Sequence, residues 1–341
     1  MKSLQEFEEF LAQDQELRTD LSNLETQRKN TKNYTFVGFV LAIIFVIVVA
    51  VIYFKKMGGD FTTSGEGASN NTMLFVGLFI GGAFFLTYMY SFFMKKKVQQ
   101  SPTMFGTSSN GFEFDYKDKV VRKIVNFWNP AFRYQINNHI KYAEIYGSGM
   151  FFDSNNKVNG SDMISGEIDG VPFKFSDVQV IREKKYVGKN EDPYESVVTG
   201  SFFMAAFNKE FKNPVFVFPN KSIWSESTGL RTAGEKVLLE DPEFMKAFDV
   251  YADDQVESRY ILTPSMMQRI MKMREKMGKN LHIAFANNSI YILNNNGKDR
   301  FEASWFKSID KKENLIELYY ELSEQLSIIK ELNLNINIWK S

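Results

Sequence analysis

Two long runs without a charged residue constrain this chain more than any other feature. Tyr34–Phe54, "YTFVGFVLAIIFVIVVAVIYF", is 21 residues long, and Met73–Met94, "MLFVGLFIGGAFFLTYMYSFFM", is 22. A helix needs roughly 20 apolar residues to cross a hydrocarbon core of ~30 Å. Two such runs side by side, flanked by lysines, read as a transmembrane hairpin better than as buried core helices. Tyr34, Tyr53, Tyr88 and Tyr90 lie toward the ends of the runs, as an interfacial aromatic belt requires. A signal peptide fits poorly, because the 33 residues before the first run are long and acid-rich.

The flanks set an expected orientation. Arg28, Lys29 and Lys32 precede the first run and Lys95, Lys96 and Lys97 follow the second, whereas the loop between them offers Lys55 and Lys56 against Asp60 and Glu66. The positive-inside bias then places both chain ends in the cytoplasm and the short loop outside. Gly77 and Gly81 form a GxxxG pair on the second run, and an antiparallel hairpin sets Gly77 level with Ala50. The close helix approach this permits serves either the hairpin itself or a second protomer.

The expected organisation is an amphipathic helix in 1–33, spans at 34–54 and 73–94, and an external loop at 55–72. A basic flank and linker at 95–112 then lead to a cytoplasmic α+β domain over 113–341. In the first segment Phe10, Leu17 and Leu24 recur at seven-residue spacing with Phe7 and Leu21 nearby, a short coiled-coil-like seam interrupted at Asp14. Either a partner helix or the body of the same protein could cover that face.

Within the body, helical spacing at Val120, Val121, Ile124 and Phe127 predicts a helical region from about Tyr116 to Tyr146, broken at Asn129-Pro130. Strands follow. Asp169-Gly170 and Asn287-Asn288 each sit between apolar-alternating arms and predict tight hairpins. "VVTGSFFMAAF", "PVFVFP" and "KVLLE" add three more, for about seven mostly antiparallel strands with a helical insert. A C-terminal amphipathic helix from about Lys311 to Leu332 buries Leu315, Tyr319, Leu322, Leu326 and Ile329, with Asp310 and Glu313 as a capping-box-like start. The class is α+β; a bent sheet closed into a pleckstrin-homology-like barrel is the specific form considered.

The densest chemistry lies in Leu238–Met267, "LLEDPEFMKAFDVYADDQVESRYILTPSMM". Asp241, Asp253, Asp254 and Glu257, with Arg259, are the candidate ligand or partner site. Their spacing also suits helix starts: Asp241-Pro242 and Thr263-Pro264 are N-cap–N1 pairs, and Asp254 and Glu257 repeat the cap and N3 positions. The EF-hand pattern is absent, since neither the turn glycine nor the closing glutamate is present. Met266, Ile270, Met273 and Met277 form one face of the helix after Pro264, suited to core packing more than to a partner groove.

Composition narrows the chemistry further. With 41 Lys plus Arg against 41 Asp plus Glu there is no basic excess to advertise nucleic-acid binding. The absence of cysteine excludes disulfides, thiolate metal sites and thiol catalysis, and two histidines, His139 and His282, leave little for zinc or imidazole catalysis. Gly147-Ser148-Gly149 precedes a strand-like run instead of following one, so it reads as a turn and not as a dinucleotide loop. No cofactor is expected.

"GSFFMAAFNKEF", "VLLEDPEFMKAFDVYADDQVESRYILTP" and "HIAFANNSIYI", with the paired spans and "YAEIYGSGMF", resemble a bacterial membrane-protein family known as domain of unknown function 3137. The resemblance runs from the first span to about residue 305. It implies a two-span anchor with a cytoplasmic domain, no assigned catalytic residues, and a LemA-type protein as a partner. Three functions are compatible with these residues. The leading one is a membrane-anchored, non-enzymatic interaction or scaffold protein that docks a protein partner, a second copy of itself or the inner leaflet. The others are a lipid- or small-ligand-binding sensor and a metal-dependent hydrolase built on the acidic cluster.

Overall fold

The protein is represented by a computed structural model. It describes residues 2–56, 108–151, 156–184, 193–220, 234–304 and 307–334, with only some of the side chains between 34 and 56. The second apolar run, Gly77, Gly81, the external loop from residue 57 and the linker up to residue 107 lie outside the described residues, as does the side chain of Ala50. Two compact units are distinguished. One comprises Met1–Leu17, Lys117–Glu302 and Lys311–Ser341; the other comprises Arg18–Tyr116 and Ala303–Asp310.

The first unit is built on one antiparallel sheet of nine strands. These are β1 (Arg133–Gln135), β2 (Lys157–Ile168), β3 (Val171–Glu183), β4 (Tyr194–Ala206), β5 (Val215–Pro219), β6 (Glu235–Val237), β7 (Phe248–Ala252), β8 (Leu281–Ala286) and β9 (Ser289–Asn294). Their spatial order is β1-β2-β3-β4-β9-β8-β5-β7-β6. The mixed α and antiparallel β class is as expected, but the sheet is open among the described residues, not a pleckstrin-homology-like barrel, and has nine strands where about seven were expected. The two additions are β1, which cuts the expected helical region with only three residues, and β7, which follows a helix without an intervening turn.

Both predicted hairpins form. Asp169 and Gly170 take φ of 51° and 81° between the paired Ile168 and Val171, and Asn287 and Asn288 take 51° and 52° between Ala286 and Ser289. These left-handed pairs are what a two-residue turn needs to match the strand twist, and Asn, Asp and Gly adopt them at least cost. One core cluster joins Phe202, Phe216, Ala284, Tyr291 and Leu293 of the sheet to Ile140, Ile145, Met150 and Phe151, a layer that includes α5 (Tyr142–Gly147).

The remaining helices of this unit include α1 (Leu4–Gln13), α4 (Arg122–Trp128), α6 (Pro242–Ala247), α7 (Gln255–Ile261), α8 (Pro264–Met277) and α9 (Lys312–Glu331). The methionine face of α8 is core, with Met266, Met267, Ile270, Met273 and Met277 all buried, and Gly278 ends the helix at φ 99°. The stripe of α9 is buried as expected, but the helix starts from Lys311 with no side-chain cap. Asp310 is spent locally, accepting from Ser308 Oγ at 2.5 Å, so the expected capping box does not form.

The chain leaves the helix at Asp14, where the seam was expected to break, and Phe7 then stacks on Tyr319 at 4.9 Å while Phe10 stacks on Phe127 at 4.8 Å. The body of the same protein therefore covers the start of the amphipathic face, and a coiled coil is not supported. Leu17 and Leu24 are buried as well.

In the second unit, α2 (Gln15–Lys56) continues as one helix through the first apolar run, and α3 spans Ser108–Tyr116. Among the described residues no helix is long and apolar enough to cross a membrane. Arg28, one of the expected cytoplasmic flank charges, is buried and held by Glu25 through bonds of 2.8 and 2.7 Å. That pair pulls the Glu25 carboxyl down to about 2. The same carboxylate accepts from Ile309 N at 3.1 Å, which pins the 303–310 segment to α2 inside this unit.

His282 sits on β8 at 2 % exposure with its ring 5.6 Å from that of Phe218, and burial pushes its pKa down to about 4. The neutral imidazole thus contributes stability that is complete above the unfolded value of 6.5 and is lost as pH falls toward 4. His282→Leu should gain on the wild type by up to about 3 kcal/mol across that window. Unfolding midpoints of the two proteins at pH 7 and pH 4.5 test this. A difference that does not change with pH would remove the buried imidazole as its source.

Candidate functional site

The acidic stretch does not assemble into one site. Asp241 caps α6, accepting from Glu243 N and Phe244 N at 3.0 Å each, and Asp254 caps α7, accepting from Val256 N and Glu257 N at 2.7 and 3.1 Å. Glu257 clamps the preceding loop, accepting from Lys212 N, Asn213 N and Asn213 Nδ2 at 2.5, 2.9 and 3.0 Å. Arg259 donates to the carbonyls of Gln255 and Leu238, and Asp253 is exposed. Of the four candidate carboxylates, Asp241 and Asp254 are thus occupied with the orphan N–H groups of helix starts and Glu257 with those of a loop, which leaves Asp253. Asp241→Ala and Asp254→Ala should each cost about 1 kcal/mol, while Asp254→Asn, which keeps the acceptor, should cost less. Equal losses for the alanine and asparagine variants in thermal melts would sink the capping account.

The carboxylates that do converge lie elsewhere. Oxygens of Asp162, Asp299 and Glu302 come within 4.8 Å of one another. Asp162 sits at a bulge in β2, where the register against β3 slips between Ser161 and Ile164, and it holds φ 59°. A bulge re-aims a side chain, and a non-glycine residue in the left-handed region costs energy that its surroundings must repay. Here the backbone N–H of Asp162 and Met163 turn away from the ladder to the carbonyls of Ile136 and Asn138, at 2.9 and 3.1 Å.

The Asp162 side chain is fully buried yet fully engaged. Oδ1 accepts from the Tyr134 hydroxyl at 2.5 Å, while Oδ2 accepts from Lys117 Nζ at 2.7 Å and Ser161 Oγ at 2.9 Å. Lys117 also donates to Glu302 Oε1 at 2.5 Å, so one ammonium bridges a buried and a rim carboxylate. Lys117 opens a π-helical turn, Lys117–Val121, between α3 and α4. Such turns rotate the side chains beyond them, and they recur at functional sites.

A second buried pair stands alongside. Arg300 donates to Asp177 through Nη1 at 3.0 Å and through its backbone N–H at 2.5 Å. Burial pushes the Asp177 carboxyl up to about 7 against the pull of Arg300, with Asp299 and Asp162 adding to the rise.

Two glycines let the backbone close around these pairs. A Cβ on Gly160 would lie 2.2 Å from the Asp177 carbonyl oxygen, and one on Gly200 would lie 1.9 Å from that of Asn294.

The proton inventory decides the network's chemistry. Burial alone would lower the Lys117 pKa, but Asp162 and Glu302 outweigh it and raise it, so the side chain stays an ammonium. Burial raises the Tyr134 hydroxyl, and Asp162 adds to the shift, so it stays a donor. Neither is a nucleophile or base at neutral pH. Three convergent carboxylates suit a hard divalent cation, but the Lys117 ammonium lies within hydrogen-bond distance of two of them and already supplies positive charge there. The geometry is that of an internal ionic staple. It ties the turn before α4, the β2 bulge and the 299–302 loop together.

Residues 196–334 match the family described as "Protein of unknown function (DUF3137)". The match covers less than half of the chain. The DUF3137 segment begins in β4, so the apolar runs and "YAEIYGSGMF" lie outside it, and it extends past residue 305 through α9. It contains Gly200, Arg300 and Glu302 of the network, while Lys117, Tyr134, Asp162 and Asp177 lie before it. None of the curated proteins matches the chain. Among solved structures, the crystal structure of the mycobacterial trehalose monomycolate transport factor A, TtfA, is similar at 10% identity and a TM-score of 0.35, covering 61% of this chain and 89% of that one. At that level the likeness carries neither a fold nor a function across to the DUF3137 segment.

Proposed function

We propose that this chain is a membrane-anchored, non-enzymatic interaction protein, with the α+β body on the cytoplasmic side docking a protein partner. The supporting observation is α2. It continues without a break through 21 uncharged residues, and within them Val40, Ile44, Ile47, Val48 and Val51 are exposed at helical spacing. That spacing puts the five on one face, and a stripe of β-branched side chains of that length is costly in water and favourable in hydrocarbon. Lys29 and Lys32 remain exposed before the run, as the inside flank of a span requires. The body supplies a rigid sheet stapled by buried ion pairs, which is the character of a docking platform more than of a reaction centre.

The absence of cysteine makes the anchor simple to test. Ser64→Cys should react with an impermeant thiol reagent on intact cells, and Ser196→Cys only after lysis. Release of the chain from membranes by alkaline carbonate would overturn the anchor, and the reverse labelling pattern would overturn the orientation.

A further inference from the structure

The two most exposed large apolar side chains among the described residues, Val256 at 78% and Leu238 at 69%, belong to one surface of the body. Arg259 joins them, donating from Nη2 to the Leu238 carbonyl at 3.1 Å and from Nη1 to the Gln255 carbonyl at 2.9 Å. Tyr260 lies one helical turn after Val256 on the same face of α7 and is also exposed. Lys209 holds it from behind, with Nζ 4.5 Å from the ring centroid and 2.6 Å from the Tyr260 carbonyl. Arg259 and Lys209 thus brace the surface from within it.

The surroundings are acidic. Glu243 and Asp249 are neutralised by Lys246 and Lys236, at ion-pair distances of 2.7 and 2.6 Å respectively. Among the described residues, Glu240, Asp241, Asp253, Asp254 and Glu257 have no such lysine or arginine partner: three accept from uncharged backbone groups, and Glu240 and Asp253 are exposed. Set against Arg259 and Lys209, these five carboxylates leave an excess of negative charge around the apolar centre, which disfavours an anionic leaflet and a second copy of the same surface. It complements an apolar stripe bordered by lysine or arginine.

We propose that Leu238, Val256 and Tyr260 form the docking surface for a basic amphipathic helix of a partner protein. This rests on the reading of the chain as an interaction protein, but not on its membrane anchor. The apolar stripe of the helix lies over the three side chains, and its flanking cations face Glu240 and Asp253. Burying the apolar centre supplies affinity, and the rim supplies orientation and on-rate.

The test uses the full chain in phosphatidylcholine nanodiscs, with an environment-sensitive fluorophore on Val256→Cys and, as a control, on Ser196→Cys. The probe is a synthetic Leu/Lys amphipathic helix, compared with its Leu/Glu counterpart. The Val256 position should report saturable binding of the Leu/Lys peptide alone, weakening with salt, while the Ser196 position stays silent. Glu240→Gln with Asp253→Asn should weaken that binding roughly tenfold, and Leu238→Ser should weaken it by a similar factor. Neither substitution touches a helix cap, so melting temperature should hold.

Equal responses at both positions, equal binding of the two peptides, or indifference to the rim substitutions would overturn the proposal. A fluorophore shift on adding anionic lipid without peptide would assign the surface to the leaflet. A shift that grows with protein concentration alone would assign it to a second copy. Loss of carbonate resistance would strike the membrane anchor while leaving this surface untouched.

Discussion

Lys117→Met should lower the unfolding free energy by about 3–5 kcal/mol, a large share of what a domain of this size possesses. The loss comes from the partner left behind more than from the missing bond. Asp162 has no exposed surface, so without the ammonium its charge has neither a counterion nor water, and the Tyr134 hydroxyl cannot neutralise it. Glu302, at the rim, can rehydrate. Asp162→Asn is the informative companion, because asparagine tolerates the left-handed backbone and keeps an acceptor for Tyr134. The double variant Lys117→Met with Asp162→Asn removes the fully buried carboxylate together with its ammonium, leaving only the exposed Asp299 and Glu302, and should recover part of the loss. Melting curves of the four proteins in one detergent complete the cycle. A Lys117→Met protein within about 1 kcal/mol of wild type would show that water already reaches Asp162.

Local features of the fold were legible in the sequence because their causes are local. The Asp169-Gly170 and Asn287-Asn288 hairpins, the Asp241, Asp254 and Thr263 caps and the Gly278 stop each depend on residues within four positions of one another. The network was not legible, for the opposite reason. Lys117 meets Asp162 across 45 positions and Glu302 across 185, and Asp177 meets Arg300 across 123. No spacing rule encodes such pairings. One signal did exist: in the strand "VPFKFSDVQV" Asp177 takes the next place on the alternating face that Val171, Phe173 and Phe175 bury, and a charge in such a place demands a partner. The bulge hid for a related reason, since "NGSDM" carries the composition of a turn and so concealed the first half of β2. β7 was missed because its alternation, with Phe248, Val250 and Ala252 buried, spans only five residues and directly follows α6. Asp310 and Glu313 had the spacing of a capping box, but Ser308 claimed the Asp310 carboxylate first.

Gly200→Ala should be the most damaging single-methyl change in the body, costing about 3 kcal/mol or more. The added Cβ would sit 1.9 Å from the Asn294 carbonyl oxygen and 3.2 Å from the Asn296 nitrogen, both of them backbone and unable to step aside as a side chain would. The neighbouring residue, Ser201, pairs with Asn294, so the strain falls on the junction of β4 with β9. It also reaches the chain beyond β9. The Gly297 N–H donates to the Thr199 carbonyl at 2.9 Å, and Asn295 Oδ1 accepts from Thr199 N at 3.2 Å, which together fold that segment back over Gly200. The segment leads into Asp299, Arg300 and Glu302, the half of the ionic staple that the second part of the chain supplies. The substitution should therefore damage the Lys117–Glu302 and Asp177–Arg300 pairs without touching any charged residue. Non-additivity is the measurable consequence: Lys117→Met should cost less in a Gly200→Ala background than in the wild type, by about 1 kcal/mol or more. Simple addition of the two losses would mean that the 295–302 segment finds its place independently of Gly200, and the close approach would then serve only the β4–β9 ladder.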